Sequence, residues 1–217
     1  NTALISNPAD FPDPAVISEI REPWVDLEVV CRSIDVGTAM QLAQDRRAVY
    51  RSLTYLDSDR CILAFDAPLA GIILDFFDAL KSATEGYGSM SYEPIGYRSG
   101  DLVKLSILLL GESADALSTI VHRSQAHDVG AIICKRLKEV LPRQQFEIPI
   151  QAAIGAKVVA RETLGAFRKD VTGYLYGGDV TRKNKLLEKQ KKGKKRMKRM
   201  GKVTITQEAF LAVLKRS

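Results

Sequence analysis

A strand–helix–strand pattern occurs twice in succession in the first half of the chain. In the first copy, the segment "WVDLEVVCRS" (24–33) alternates apolar and polar residues, as a strand with one buried face does. The segment "VGTAMQLAQDRR" (36–47) then has the spacing of a short helix, for which Asp35 is a suitable N-terminal cap. The alternating segment "AVYRSLTYL" (48–56) completes the unit.

The second copy follows directly, and its helix begins about 35 residues after the first helix. Residues 60–69 and 89–97 predict strands, and residues 70–81 between them predict a helix. Two consecutive units of this kind predict an α+β fold, a ferredoxin-like split βαβ sandwich in which four strands form one sheet and both helices cover one face. The predicted buried residues of the second helix are Ile73, Phe76, Phe77 and Leu80.

A chain of 217 residues has room for two small domains. We assign the ferredoxin-like domain to residues 22–107 and a second domain to residues 108–217. The first 20 residues contain three prolines, so we expect residues 1–21 to be a linker from a preceding domain. Because the chain also starts without a methionine, we expect it to be a fragment of a longer protein.

The second half of the chain is predicted to begin with a strand at 103–111. Ser113 is then a suitable helix cap, and residues 114–141 predict a helix, a break near Gly130 and a second helix, which Pro142 closes. The apolar stretch that follows opens with a strand-like pattern, and a glycine-containing polar stretch after it predicts an irregular loop. The predicted core-facing residues of a closing helix are Phe210, Leu211 and Leu214.

Residues 182–202, "RKNKLLEKQKKGKKRMKRMGK", form a basic segment. It contains 12 Lys or Arg residues and one acid, Glu188, so its net charge of +11 exceeds the +6 of the whole chain and leaves −5 for the other 196 residues. This asymmetry predicts a polyanionic partner. Helical propensity is good except at Gly193, so we expect a helix that repulsion between like charges keeps partly disordered until RNA binds.

Three interpretations of the basic segment are open. A solvated helix face normally mixes both signs of charge, which this segment does not. A membrane-surface helix needs bulky apolar anchors, and the segment has two leucines and two methionines but no Trp or Phe. An arm that contacts RNA phosphates suits lysine, a compact charge on a flexible stem, and is the interpretation we favour.

Other functional classes have little support in the sequence. The three cysteines are far apart, which favours a reducing compartment over a disulfide framework or a zinc site, and no apolar run is long enough to cross a bilayer. His122 and His127 have no third ligand at metal spacing, so we expect surface or capping roles and no metal site. No catalytic grouping or nucleotide-binding loop is recognisable, and this chain by itself is not expected to be an enzyme.

Two long stretches of the chain resemble a known family. The segments "LPRQQFEIPIQAAIGAKVVARETL", "YGGDVTRKNKLLEKQKKGKKRMKRMGKV" and "QEAFLAVLK" are similar to the C-terminal region of the LepA family of translational GTPases, also called elongation factor 4. The upstream segment "LDFFDALKSATEGYGSMSYEPIGYRSGDLVKL" resembles the part of LepA that corresponds to domain V of elongation factor G. The resemblance covers nearly the whole chain from about Pro14 onward.

The resemblance implies a ferredoxin-like domain followed by a LepA-type α+β C-terminal domain with a basic helical segment. It also implies that the G domain, with its GTP and magnesium, lies outside this chain, so no cofactor is expected here. The implied partners are large-subunit ribosomal RNA and tRNA, bound by a monomer in the cytoplasm. The implied roles are elongation, back-translocation and fidelity under stress. Ribosome assembly and regulation at the membrane, with peripheral contact at the inner membrane face, are the alternatives, and an organellar source is not excluded.

Carried onto this chain, the resemblance implies RNA contacts by basic side chains and by two glycines that let the backbone approach RNA closely. For the first of them, Arg161, a surface ion pair with Glu162 or another acid is an equally good explanation. The predicted RNA-binding residues are Arg161, Arg168, Lys169, Gly177, Gly178, Arg182, Lys183, Lys185, Lys189, Lys191, Lys192, Lys194, Lys195, Arg196, Lys198, Arg199 and Lys202.

Overall fold

The fold is described from a computed structural model that covers residues 2–167, 170–173, 180–200, 203 and 205–214, without the side chains of residues 199, 200, 212 and 214. The chain forms two compact units. Among the described residues, the first unit is Ala15–Asp101, and the second combines the residues up to Pro14 with those from Leu102 to Leu214.

The first unit is built on a four-stranded antiparallel sheet. Its strands are β1 (Arg21–Arg32), β2 (Val49–Tyr55), β3 (Arg60–Pro68) and β4 (Ser89–Ser99). Their order in the sheet is β2-β3-β1-β4, so the two strands that begin the two βαβ units are not at the edges. This order, with a helix between the strands of each unit, confirms the predicted split βαβ arrangement.

Three helices lie between these strands: α1 (Val36–Asp45), α2 (Leu69–Ile72) and α3 (Phe76–Ala83). The prediction of one continuous helix over 70–81 was wrong, because the helical hydrogen bonding is interrupted after Ile72.

The interruption changes which side of the second helical segment is buried. Ile72, Phe76 and Leu80 face the core, whereas Ile73 is 56% exposed and Phe77 is 43% exposed, so two of the four predicted core residues were wrong.

Alternate residues of the central strands form the core of the first unit. Val25, Leu27 and Val29 of β1 are almost completely buried, and β3 buries its alternate residues in the same way. Cys31 and Cys61 lie opposite each other across β1 and β3, with their Sγ atoms 3.8 Å apart and both thiols buried. The period of two therefore correctly identified the core-facing side of β1.

The predicted capping role of Asp35 was wrong. Its side chain makes no hydrogen bond to the first turn of α1. The carboxylate instead accepts a 2.6 Å hydrogen bond from Arg32 Nε, which ties the end of β1 to the turn that precedes the helix.

The second unit contains a five-stranded antiparallel sheet. The strands are β5 (Leu102–Leu109), β6 (Glu112–Ser113), β7 (Thr119–His122), β8 (Ile148–Ile154) and β9 (Lys157–Leu164). The order is β6-β5-β8-β9, and β7 pairs with β5. Leu110 and Gly111 both have positive φ in the two-residue turn between β5 and β6, as a type I′ hairpin requires.

Residues 102–107, which we had assigned to the first domain, belong to β5 and cluster with the second unit. The first 14 residues, which we had interpreted as part of a linker, also cluster with the second unit through a short helical turn at Pro8–Asp10. Contacts in the structure therefore change at Asp101, six residues before the predicted boundary.

One long helix, α4 (Ala126–Val140), packs on β8 and β9. The predicted helix–break–helix over 114–141 was wrong in its first half, where the chain forms short helical turns and strand β7. Gly130 lies inside α4, where a Cβ atom would come within 2.8 Å of Ala152 Cβ. This glycine therefore allows close helix–sheet packing and does not end a helix.

The chain continues with α5 (Val180–Met200) and α6 (Gln207–Leu214), and α6 packs against α4. The closing helix was predicted correctly, but its core-facing side was not. Ala209 is fully buried and Val213 packs against the core, whereas Phe210 and Leu211 are largely exposed. The side chain of Leu214 lies outside the described residues.

Candidate nucleic-acid interface

Helix α5 contains most of the basic segment. Its 21 residues give it a length of about 30 Å. Lys, Arg, Leu, Met, Gln and Glu, which all favour helix, make up most of its sequence, and Gly193 is its only glycine. The expectation of a helix is confirmed for Val180–Met200, and the expected disorder without RNA stays a prediction.

One side of α5 is less exposed to solvent than the others. The half-buried residues are Lys183, Leu186, Gln190, Gly193 and Lys194. Successive members are three, four, three and one residues apart, so they share one face of the helix. These residues therefore mark the less exposed side of the helix.

The remaining sides of α5 present positive charge to solvent. Glu188 is the one acidic residue among the 21 residues of the helix. Several exposed cations are four residues apart, where like charges destabilise a helix. An external polyanion would relieve this repulsion. The exposed basic residues are Arg182, Lys185, Lys189, Lys191, Lys192, Lys195, Arg196 and Lys198.

Two contacts tie the C-terminal half of α5 to the β8–β9 hairpin. The ammonium group of Lys194 donates a 3.0 Å hydrogen bond to the carbonyl oxygen of Phe167, and Lys198 Nζ lies 3.5 Å from Glu147 Oε1. Glu147 immediately precedes β8, and Phe167 follows β9 closely. Since Ile148 pairs with Leu164, both contacts are at the same end of the hairpin.

Two family models match the chain and together span most of it. One, described as the GTP-binding protein LepA C-terminus, matches residues 109–215, and the other, described as the elongation factor G C-terminus, matches residues 19–108. Elongation factor 4 of Acetivibrio thermocellus is 56% identical over 99% of this chain, and that of Chlorobium phaeobacteroides is 55% identical over 98%. The chain belongs to the LepA (elongation factor 4) family.

The chain spans about a third of the length of these relatives, 36% and 35% respectively. Elongation factor 4 of Geobacillus thermodenitrificans is 54% identical over 97% of the chain and is likewise covered over 35% of its length. A crystal structure of a Thermus thermophilus protein aligns over 37% of this chain and 12% of its own, at 23% identity. Its TM-score of 0.35 is too low to support an argument. The two matched models are C-terminal regions, so this chain corresponds to the C-terminal part of a LepA-type translation factor.

Of the predicted RNA-binding residues outside α5, Arg161 is the one that lies among the described residues. It is exposed on β9, opposite Gln151 of β8. The neighbouring Glu162 forms an ion pair with Lys138 at 2.8 Å, and this hydrogen-bonded cation lowers the pKa of the Glu162 carboxyl below its usual value. The suggested pairing of Arg161 with Glu162 therefore competes with an existing partner.

Several predicted contacts cannot be located in this LepA-type chain. The side chain of Arg199 is not described, although its backbone is part of α5. The other predicted contacts that lie outside the described residues are Arg168, Lys169, Gly177, Gly178 and Lys202.

Sequence reasoning missed Glu147 and Phe167, the partners that hold α5. Neither is basic, and Phe167 takes part through its backbone carbonyl. No local pattern marks such residues, since any residue type can supply a carbonyl oxygen.

Alternative sites are weakly supported in the part of the chain that the structure describes. His122 caps a short helical turn by accepting a hydrogen bond from the Ser124 backbone, and His127 lies 2.9 Å from Asp128. No group of three or more His, Cys, Asp or Glu residues is placed to hold a metal ion among the described residues. Within the same residues, no helix combines the length and apolar character needed to span a membrane.

Proposed function

We propose that this chain is the ribosome-binding C-terminal part of a LepA-type translation factor, and that α5 contacts the phosphates of ribosomal RNA and tRNA. The observation that carries this proposal is a set of seven exposed cations, Arg182, Lys185, Lys189, Lys191, Lys192, Lys195 and Arg196, on a helix that contacts the rest of the second unit through Lys194 and Lys198. Its support from relatives is membership in a family whose curated members are named elongation factor 4.

The proposed contact positions the factor without reading bases. Lysine ammonium groups bind phosphate as point charges, and contacts to phosphate oxygens fix register and orientation but carry no direct sequence information. The described part of α5 has no aromatic residue that could stack on a base. The factor would therefore recognise the arrangement of RNA backbones at its binding site.

Within a complete factor, we assign GTP and magnesium to the remaining two thirds of the protein and no catalytic step to this chain. The turnover of GTP would control when this region arrives on the ribosome and leaves it. Back-translocation, fidelity under stress and ribosome assembly are all compatible with such a docking role in the cytoplasm.

A membrane-surface role is less well supported. An interfacial helix needs a continuous apolar face. The exposed apolar side chains Leu187 and Met197 of α5 are ten residues, about 15 Å, apart along the helix with only polar, charged and glycine residues between them, and Leu186 is half-buried. The described part of α5 thus offers a lipid surface charge but little apolar anchorage.

The proposal is tested by binding of tRNA and purified ribosomes at increasing salt. With about six phosphate contacts, affinity should fall roughly a thousandfold between 50 and 200 mM salt. A variant with Lys191→Ala, Lys192→Ala and Lys195→Ala should bind more weakly and lower the slope of log affinity against log salt by about two. Lys194 is excluded from this set because its ammonium group is bound to Phe167.

A matched control removes three exposed cations elsewhere in the second unit, Lys135, Arg143 and Lys157. It has the same net charge as the α5 variant but should keep most of the affinity. Binding that does not depend on salt, or an equal loss in both variants, would refute α5 as the contact. Melting temperature should be unchanged in both variants, which separates loss of binding from loss of folding.

A further inference from the structure

The cations of α5 have two different surroundings. Lys192 and Lys195 are exposed, with no ion pair or hydrogen bond among the described residues. Lys194, between them in sequence, is half-buried with its ammonium group on a backbone carbonyl, and Lys198 is close to a carboxylate. Charge density along the sequence treats these four lysines as equivalent, but the fold does not.

We propose that Lys194 and Lys198 dock α5 onto the end of the β8–β9 hairpin and are not themselves phosphate contacts. Glu147 and the carbonyl of Phe167 would then be positioning groups for RNA binding. This inference rests on the proposed function, since it concerns which residues of α5 face the RNA.

The end of the β8–β9 hairpin that contacts α5 is itself held in place by hydrogen bonding and burial. The backbone N–H of Phe167 donates a 2.8 Å hydrogen bond to the carbonyl oxygen of Gln144, which links the segment that enters β8 to the segment that leaves β9. This link holds Phe167 beside the segment that enters β8, where its carbonyl oxygen accepts the hydrogen bond from Lys194. Glu147 adjoins Ile148, which is fully buried, so its backbone is held as well.

Docking also reduces the repulsion between like charges within the helix. Lys194 and Lys198 are four residues apart, a spacing at which two like charges weaken a helix. A carbonyl dipole faces one of these charges, and a carboxylate lies 3.5 Å from the other. The same two contacts leave the side of Lys192 and Lys195 facing outward. Glu147, although negatively charged, would thus support the binding of RNA, which is also negatively charged.

The first test compares two variants of equal charge from the same turns of α5. Lys192→Ala with Lys195→Ala should lower both the affinity for tRNA and the salt slope, the latter by about 1.5. Lys194→Ala with Lys198→Ala should lower affinity while leaving the slope close to that of the unchanged chain, because no counterion-releasing contact is lost. An equal fall in slope for both variants would overturn the docking assignment but leave the proposed function intact.

The second test asks whether removing an acidic side chain raises or lowers the affinity for RNA. Removing an acid normally strengthens binding to RNA, and Glu139→Gln, an exposed acid on α4, should leave affinity unchanged or raise it. Glu147→Gln should instead lower affinity about two- to fivefold, the range expected for a surface ion pair. A rise in affinity for Glu147→Gln would contradict a positioning role.

A readout without RNA keeps the inference testable if binding itself is absent. Amide hydrogen exchange across α5 should accelerate in Glu147→Gln and in the Lys194/Lys198 variant, because the helix loses its docking contacts. Exchange in the Lys192/Lys195 variant should be unchanged or slower, since repulsion is reduced. Unchanged exchange in the docking variants would refute the proposal. Failure of the unchanged chain to bind tRNA or ribosomes at low salt would refute the proposed function instead.

Discussion

The arginines of the first unit and the lysines of α5 use positive charge in opposite ways. Seven arginines of the first unit have carboxylate partners within that unit, whereas ten basic residues with described side chains in α5 share a helix with one acid. The arginine pairs are Arg21 with Glu19, Arg32 with Asp35 and Glu85, Arg46 with Asp75, Arg47 with Glu22, Arg51 with Asp26 and Asp66, Arg60 with Asp57, and Arg98 with Asp66.

This difference in pairing shows which cations are available to bind a ligand. Arg51 and Arg98 share Asp66, and the guanidinium of Arg98 also stacks 4.7 Å from the centre of the Trp24 ring. Such charges are already neutralised by the fold. The outward lysines of α5 keep theirs, so a change in the first unit should alter folding, and a change on the outer side of α5 should alter binding.

The largest expected effect on folding is that of Arg47→Ala. Glu22 is 4% exposed, and its carboxylate accepts hydrogen bonds from the Arg47 guanidinium. Removing the arginine leaves a buried charge without its partner and should cost about 3–5 kcal/mol. Urea unfolding measures the loss. The control Arg60→Ala breaks an exposed pair with Asp57 and should cost about 1 kcal/mol or less. Similar losses in both variants would contradict the distinction.

The next largest effect is expected within the second unit. Gly130→Ala places a methyl group 2.8 Å from Ala152 Cβ, so α4 must move away from β8, at a cost of about 1–3 kcal/mol. Gly37→Ala in α1 is the matched control, because nothing lies within 4 Å of its added methyl group and helical propensity then favours alanine. If both substitutions stabilise the protein, the close packing of α4 is wrong.

The stability of the first unit should decrease in the alkaline pH range. Burial raises the pKa of the Cys31 thiol from about 9 to about 12. Above pH 9 the unfolded chain loses this proton while the folded chain keeps it, so stability should decrease as pH rises from 9 towards 12. Stability of Cys31→Ala, measured by urea unfolding, should fall less steeply over the same range. An unchanged pH dependence would exclude Cys31 as a source of this effect.

The smallest effect is expected for Gly193→Ala in α5. No atom lies within 4 Å of the added methyl group, and glycine inside a helix costs about 1 kcal/mol relative to alanine. The variant should show slower hydrogen exchange across α5, with little change in the melting of the first unit. If exchange is unchanged, α5 is already fully helical without RNA, and the expected partial disorder is wrong.

Local patterns predicted the first unit better than the second. Strands β1 and β3 have long alternating runs, and the two βαβ units leave few possible topologies. In the second unit, the short apolar stretch around Thr119–His122 suits either a helix or a strand by periodicity alone. This stretch forms a strand because it pairs with β5, and no pattern within the stretch itself specifies that pairing.

Misassigned core residues have a similar cause. The break after Ile72 shifts the phase of the following helix, so the buried side passes through Ile72 in place of Ile73. Around the break, Asp75 pairs with Arg46 at 3.1 Å, a contact between segments that no periodicity describes.

By itself, the sequence determined the alternating strands, the split βαβ order and the concentration of charge in α5, because each follows from neighbouring residues or regular spacing. Only the tertiary structure decided which lysines of α5 are docked and which face outward. The groups that make this distinction, Glu147 and the Phe167 carbonyl, are brought to the helix by the pairing of β8 with β9, and a backbone acceptor leaves no mark on the sequence.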